Sequence, residues 1–238
     1  MKLTKNHESL LKTYHFDIED TDDGKSYEAK ILALQNLINT GKLAEANAWN
    51  AGQMVAICFK QHLYYPLFAL EGDAPLKMRP VVFDAPSETQ FVRDLQTFYE
   101  SAIGKEIIGD RSLYLLRNAD NKAKGLGFAL AGNFYPDFLL WLVDNASGKQ
   151  WLNFVDPKGL RQMNLSDPKL GLYNEVRVLE KKLAGSNLSL NAFIVSATQF
   201  SNLLNVSLKQ ADLEAKNVLF MPDGKDIYLK KMFERICQ

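Results

Sequence analysis

Three charged side chains stand at the ends of two apolar runs of strand length. Asp137 opens the run around 133–143, and Asp156 and Lys158 close the run 150–159. The segment 144–149 between them, Asp-Asn-Ala-Ser-Gly-Lys, is rich in turn formers. The two runs therefore read as an antiparallel hairpin buried on both faces. In such a hairpin the start of one strand lies beside the end of the next, which brings Asp137, Asp156 and Lys158 to one edge. Asp156 and Lys158 are two residues apart and share a face of their strand. Burying unpaired charge is costly, and two carboxylates with a lysine at one point suit a hard divalent cation and a phosphate.

The triplet of an acid, any residue and lysine is common. Asp23-Gly24-Lys25, Asp223-Gly224-Lys225 and Glu180-Lys181-Lys182 carry it too. The first two fall in glycine turns and the third on a helix. Asp156-Pro157-Lys158 differs because it sits on a buried strand beside a second buried acid. For Asp156 and Lys158 alone, an ion pair at a strand edge accounts for the pattern, and Asp137 is what adds a site. Pro157 removes a ladder donor, so its strand must end, bulge or face an edge there.

The elements that position these residues follow from periodicity. Ser87 with Gln90 three residues on reads as a capping box. Phe91, Val92, Leu95 and Phe98 then form one face of a helix. Glu88 lies on that face, one turn before Val92. It serves the helix dipole or points inward, toward the cation. A strand is expected over 112–117, and a basic loop holding Lys122 and Lys124 leads into the hairpin. Asp167-Pro168 is an N-cap with proline at the first helical position. Leu172, Val176, Leu179 and Leu183 follow helical spacing, with Arg177 off that stripe. A strand over 190–198, a helix over 199–210, a strand over 218–221 and a helix over 227–236 complete the chain. The order from 87 to 198 is helix, three strands, helix, strand, an α/β arrangement with a mixed sheet flanked by helices. Before it, residues 1–25 read as a polar lead-in whose acidic run 19–23 is a solvated loop. Helices are expected over 27–39 and 43–54, then an apolar strand or helix within 54–70. Residues 1–80 are thus expected to be a helical N-terminal extension or linker, and 81–238 the domain that carries the site.

Bulk composition narrows the function classes. The chain has 238 residues, 47% hydrophobic and 24% charged, enough for a large core. Lys+Arg and Asp+Glu are both 28, so strong non-specific attraction to nucleic acid, which rests on phosphate neutralisation, is not expected of the whole surface. A local basic groove is compatible with that balance. Cys58 and Cys237 are the two cysteines, and with neither a secretory pattern nor an apolar run of membrane-spanning length the expectation is a reduced, cytoplasmic protein that does not enter a membrane. His62 clusters with neither cysteine nor histidine, which argues against zinc. Gly24-Lys25-Ser26 falls short of a phosphate-binding loop, because Glu19 stands where that motif needs glycine.

Pro136-Asp137, then Asp156-Pro157-Lys158, with Glu88 on the preceding helix, resembles the PD-(D/E)XK nuclease superfamily. The helix-strand-strand-strand-helix-strand order is similar to its restriction-endonuclease-like αβββαβ core. More narrowly, the chain resembles the C-terminal nuclease region of type III restriction endonuclease subunits and related helicase-nuclease proteins. That likeness is carried by His62-Leu63-Tyr64 with Pro66-Leu67, Glu88 with Phe91-Val92 and Asp94-Leu95, and the stretches 113–117, 133–141 and 154–161. The resemblance implies a Mg²⁺-dependent DNA endonuclease, with Mn²⁺ able to substitute. Asp137, Asp156, the Pro157 carbonyl and Glu88 would hold metal, and Lys158 would orient the attacking water or offset charge on the phosphate. Lys122, Lys124, Arg161 and Arg177 are candidate phosphate contacts. The implied partners are DNA, a helicase or translocase region or subunit, and a DNA methyltransferase subunit. The sequence contains no Walker A motif, so an excised domain or a stand-alone relative is expected. The competing expectations are a DNA-binding or assembly module that keeps the nuclease fold without catalysis, and a hydrolase of small phosphoesters.

Overall fold

The computed structural model describes residues 14–47, 49–61, 66–70, 72, 74–79, 83, 85–118, 135–162, 168–183, 185–204 and 207–237. The chain divides into two units, residues 1–84 and 85–238. Among the described residues no helix is long and apolar enough to cross a membrane.

The first unit comprises β1 (His15–Ile18), α1 (Asp22–Asn39), α2 (Leu43–Asn47), β2 (Asn50–Ala51), β3 (Met54–Ile57), β4 (Leu67–Leu70) and β5 (Leu76–Arg79). It is α plus β rather than helical. Strands β2, β3 and β4 form an antiparallel sheet, and β1 pairs antiparallel with β5. Two local causes separate this from the sequence expectation. Helix α1 starts at Asp22, because the Thr21 hydroxyl accepts from the Gly24 N–H at 3.0 Å and caps it. The last residues of the acidic run, Asp22 and Asp23, are thus its first turn, where negative charge suits the dipole. The helix expected over 43–54 ends at Asn47, and Gly52, at φ +62°, begins the turn that joins β2 to β3. A Cβ at Gly52 would also stand 2.7 Å from the Tyr27 hydroxyl, which itself donates to Gln53 Oε1 at 2.7 Å. Tyr27 and Leu34 of α1 then pack with Met54, Ala56, Cys58, Phe68, Leu76 and Met78.

The second unit comprises α3 (Pro86–Glu100), α4 (Ala102–Ile108), β6 (Ser112–Arg117), β7 (Phe138–Val143), β8 (Gln150–Lys158), α5 (Leu172–Lys182), β9 (Leu188–Ser196), α6 (Gln210–Glu214), β10 (Val218–Phe220) and α7 (Lys225–Ile236). Its mixed five-stranded sheet runs β10-β9-β8-β7-β6. The strands β6, β7 and β8 meander antiparallel, whereas β9 and β10 join parallel to β8 and to each other. The segment 199–210 is not the expected helix. It holds a 3₁₀ turn at Phe200–Asn202, and α6 begins only at Gln210.

Strand alternation divides the sheet's contacts between its two faces. On one, Phe138 meets Phe91 of α3 at 5.6 Å between ring centroids. On the other, Leu139, Phe154, Leu190 and Ala192 pack with Leu172 and Val176 of α5. Leu179 and Leu183 continue the α5 stripe in sequence but are exposed. The register is marked at the sheet's centre by two buried amides. Asn153 Nδ2 donates to the Leu140 carbonyl at 3.0 Å, and Asn191 Nδ2 donates to Asn153 Oδ1 at 3.1 Å. A slip by one residue would break both bonds in a place water cannot repair.

Two predictions follow from this packing. Phe98 of α3 and Phe233 of α7 stack at 5.5 Å with planes 8° apart, both fully buried. Phe98→Ala is expected to cost about 3–5 kcal/mol in urea unfolding. Burial pushes the Cys58 thiol from the ordinary 9.0 up to about 11. Its contribution to stability is therefore complete below pH 9 and lost as pH rises through 11. Cys58→Ala should lose less stability over that window than the parent, as denaturation at stepped pH will read.

Candidate active site

The site begins with where β7 stops. Its last pair with β8 is Phe138↔Val155. Asp137 is the residue just before that pair, outside β7, and Asp156 is the residue just after it on β8. Asp137 is thus brought to the edge that the hairpin reading requires. Beyond Val155, β8 has β9 alone as a neighbour, with Asp156↔Ile194, Pro157↔Val195 and Lys158↔Ser196. This half-edge explains Pro157: the strand runs on through it because its missing N–H falls where one ladder has already ended.

Two charge groupings meet this strand end. Arg117, the last residue of β6, spans a pair of acids. Its Nη2 lies 3.3 Å from Glu88 Oε2, and its Nη1 lies 2.9 Å from Asp137 Oδ1. The side chains of Arg117 and Glu88 are 12% and 5% exposed, that of Asp137 23%. The Arg117 guanidinium also rests 5.2 Å over the Phe138 ring. The second grouping is Asp156 with Lys158, whose ammonium pairs with Asp156 Oδ2. Asp156 is buried and Lys158 half-buried. By alternation Arg117 shares a face with Phe138, on the α3 side, and Asp156 shares one with Phe154, on the α5 side. β7 lies between β6 and β8, so Asp137 stands at the end of the strand that separates the two.

Helix α3 is anchored to the same point. Its N-cap is Ala85, with Pro86 at the first helical position, so Ser87 lies inside the first turn and is not the expected cap. Proline's fixed φ starts the helix two residues earlier than the capping box would. The Ser87 hydroxyl is thereby available to donate to the Pro157 carbonyl at 3.2 Å. That bond uses one of the carbonyl's two lone pairs. Glu88, the next residue, is turned inward and buried.

The remaining sequence candidates divide. Lys122 and Lys124 lie outside the described residues, as does His62. Arg177 is engaged on its own helix, 2.8 Å from Glu180 Oε2 and 5.4 Å over the Tyr173 ring. Arg161 is exposed just beyond β8. Arg117 was missed as a site residue. The available signal was its place as a cation ending the strand next to β7, since an antiparallel neighbour sets that end beside Asp137.

Among the described residues no three His, Cys, Asp or Glu side chains group so as to hold a metal ion. The oxygen donors at this strand end are Asp137, paired with Arg117, and Asp156, paired with Lys158, plus a lone pair of the Pro157 carbonyl. All are hard oxygen donors. By chemistry such donors suit a hard cation that keeps several waters, the usual manner of Mg²⁺. Glu88, held by Arg117, stands behind Asp137 rather than beside Asp156 in this arrangement. Compared with family models, curated proteins and solved structures, the chain matches none.

Arg117→Met leaves Glu88 and Asp137 without the guanidinium that neutralises them, and is expected to cost about 3–5 kcal/mol. The double variant Arg117→Met, Glu88→Gln should cost clearly less than the two single losses combined. Additive losses in a urea double-mutant cycle would refute this coupling.

Proposed function

We propose that this chain is a metal-dependent DNA endonuclease of the PD-(D/E)XK kind, built on a restriction-endonuclease-like core and belonging with type III-like restriction systems. The observation that carries the reading is the β7/β8 register, whose last pair, Phe138↔Val155, leaves Asp137 and Asp156 at one strand end with Lys158 two residues on. The helix–sheet order and the inward Glu88 support it.

Asp137 and Asp156 would hold Mg²⁺ together with the Pro157 carbonyl, Mn²⁺ serving in its place. When bound, such an ion lowers the pKa of a water and polarises the scissile phosphate. The chain's own residues do the rest. Lys158 donates to a phosphate oxygen and offsets the charge that builds there in the transition state. Its pairing with Asp156 keeps the ammonium oriented before substrate arrives. Glu88 acts through Arg117, whose ion pair fixes the rotamer of Asp137. Ser87 holds the Pro157 carbonyl and so ties α3 to the site. DNA is the substrate, and a translocating helicase part and a methyltransferase subunit are the partners that the likeness suggests.

A second reading has its own observation. Arg117 and Lys158 already neutralise most of the acidic charge, which suits a DNA-binding or assembly module that keeps this fold without catalysis. The two readings separate in one experiment. With Mg²⁺ and a supercoiled plasmid, the parent should nick or cut. Asp156→Asn should lose about 10²–10³-fold or more in rate, the several kcal/mol a metal supplies, and keep DNA binding. Mn²⁺ titration followed by calorimetry gives an independent reading: heat with the parent and none with Asp156→Asn. Undiminished cutting by that variant sinks the nuclease reading. Absence of both cutting and Mn²⁺ uptake by the parent selects the module.

A further inference from the structure

Immediately past Lys158 the chain opens a cleft of about 460 Å³, whose described lining is Arg161, Thr198, Ser201, Asn202 and Leu204. It lies at the carboxyl ends of β8 and β9, which run parallel and end at Lys158↔Ser196. Ligands of open α/β sheets bind outside the carboxyl ends of such strands. The backbone around the cleft is tied together. The Ala197 N–H donates to the Lys158 carbonyl at 2.9 Å, and the Leu204 N–H to the Arg161 carbonyl at 2.9 Å.

The chemistry of the lining is one-sided. Thr198 Oγ1 accepts from the Leu160 N–H at 3.0 Å, which leaves its own proton to be donated. No acceptor for that proton, for the Ser201 hydroxyl, for the Asn202 amide or for the Arg161 guanidinium occurs among the described residues. Arginine can only donate. No described lining residue is acidic. A cation with three further donors and no carboxylate matches an anion bearing several oxygens.

We propose that this cleft binds a backbone phosphate of DNA next to the one held at Lys158. The proposal rests on the nuclease reading, since that reading supplies the neighbouring phosphate. Arg161 grips the phosphate oxygens, and Thr198, Ser201 and Asn202 complete the hydrogen bonds. The cleft would thus set which phosphodiester along the strand arrives opposite Asp137 and Asp156.

The test measures binding of a fluorescent DNA duplex across a salt series. The full chain carries Asp156→Asn to keep the DNA uncut, and cleavage is followed separately on the otherwise unaltered chain. Adding Arg161→Ala should weaken binding about tenfold and reduce the log–log salt slope by about one. The pair Ser201→Ala, Asn202→Ala should weaken binding and leave the slope unchanged, because no charge is removed. Lys181→Ala, on the exposed side of α5, should do neither. Arg161, Lys181, Ser201 and Asn202 are all exposed, and circular dichroism will verify folding. If Arg161→Ala binds as its background does while the parent cuts DNA, the cleft proposal is overturned and the nuclease reading stands. If Arg161→Ala shows the expected loss but the parent cuts nothing, the phosphate contact is supported and catalysis is not. If the chain binds no DNA, both fall.

Discussion

Acid buried at the end of a sheet must be neutralised, and the second unit is arranged around that requirement. Glu88 comes from α3, Asp137 from the residue just before β7 and Asp156 from near the end of β8. None has enough water around it to be left alone at low cost. Arg117 answers two of them and Lys158 the third. The cations come from the strand ends that the meander already delivers to the same edge. The sheet's handed-down geometry and the charge balance are therefore one arrangement: any register that buried the apolar residues but shifted β8 would strand an acid.

The apolar core fixes that register before charge is considered. Phe138 must face Phe91, and Phe154 must face Val176. The Asn153 and Asn191 amides then admit one alignment of the central strands. Hydrophobic burial supplies most of the stabilisation, while these two polar residues supply uniqueness. The site inherits its precision from them, since Asp156 lies three residues along the same strand from Asn153.

Much of this was legible in the sequence, for a physical reason. Long apolar runs such as 138–143 and 150–158 leave few alternatives to buried strands, and the segment 144–149 announces its turn. That Asp137, Asp156 and Lys158 lie at the same end of the hairpin followed from that alone. What was not legible depended on contacts between elements. Ser87 looked like a cap because its spacing to Gln90 is right, but proline one residue earlier took over the start of α3 and released the hydroxyl to Pro157. Arg117 looked like the end of a strand, and its role exists only once β6 lies beside β7. In the first unit, residues 50–57 carried too few periods to distinguish helix from hairpin, and Gly52 decided it by the sign of its φ. A helix was expected over 199–210, yet its start is a 3₁₀ turn at Phe200–Asn202, from which Ser201 and Asn202 line the cleft.

The tally of formal charges at the strand ends has a consequence for order of assembly. Three carboxylates against Arg117 and Lys158 leave one negative charge over. Bare, the cluster repels a nucleic-acid strand. With a divalent ion it carries one positive charge, the complement of a single phosphodiester, and with both present it is neutral. On the nuclease reading, cation precedes DNA, and a chain starved of metal would neither draw the strand to this cluster nor present the bond for cutting. The same surplus, small enough to be tolerated inside a fold, is what would hold the enzyme idle until the ion arrives.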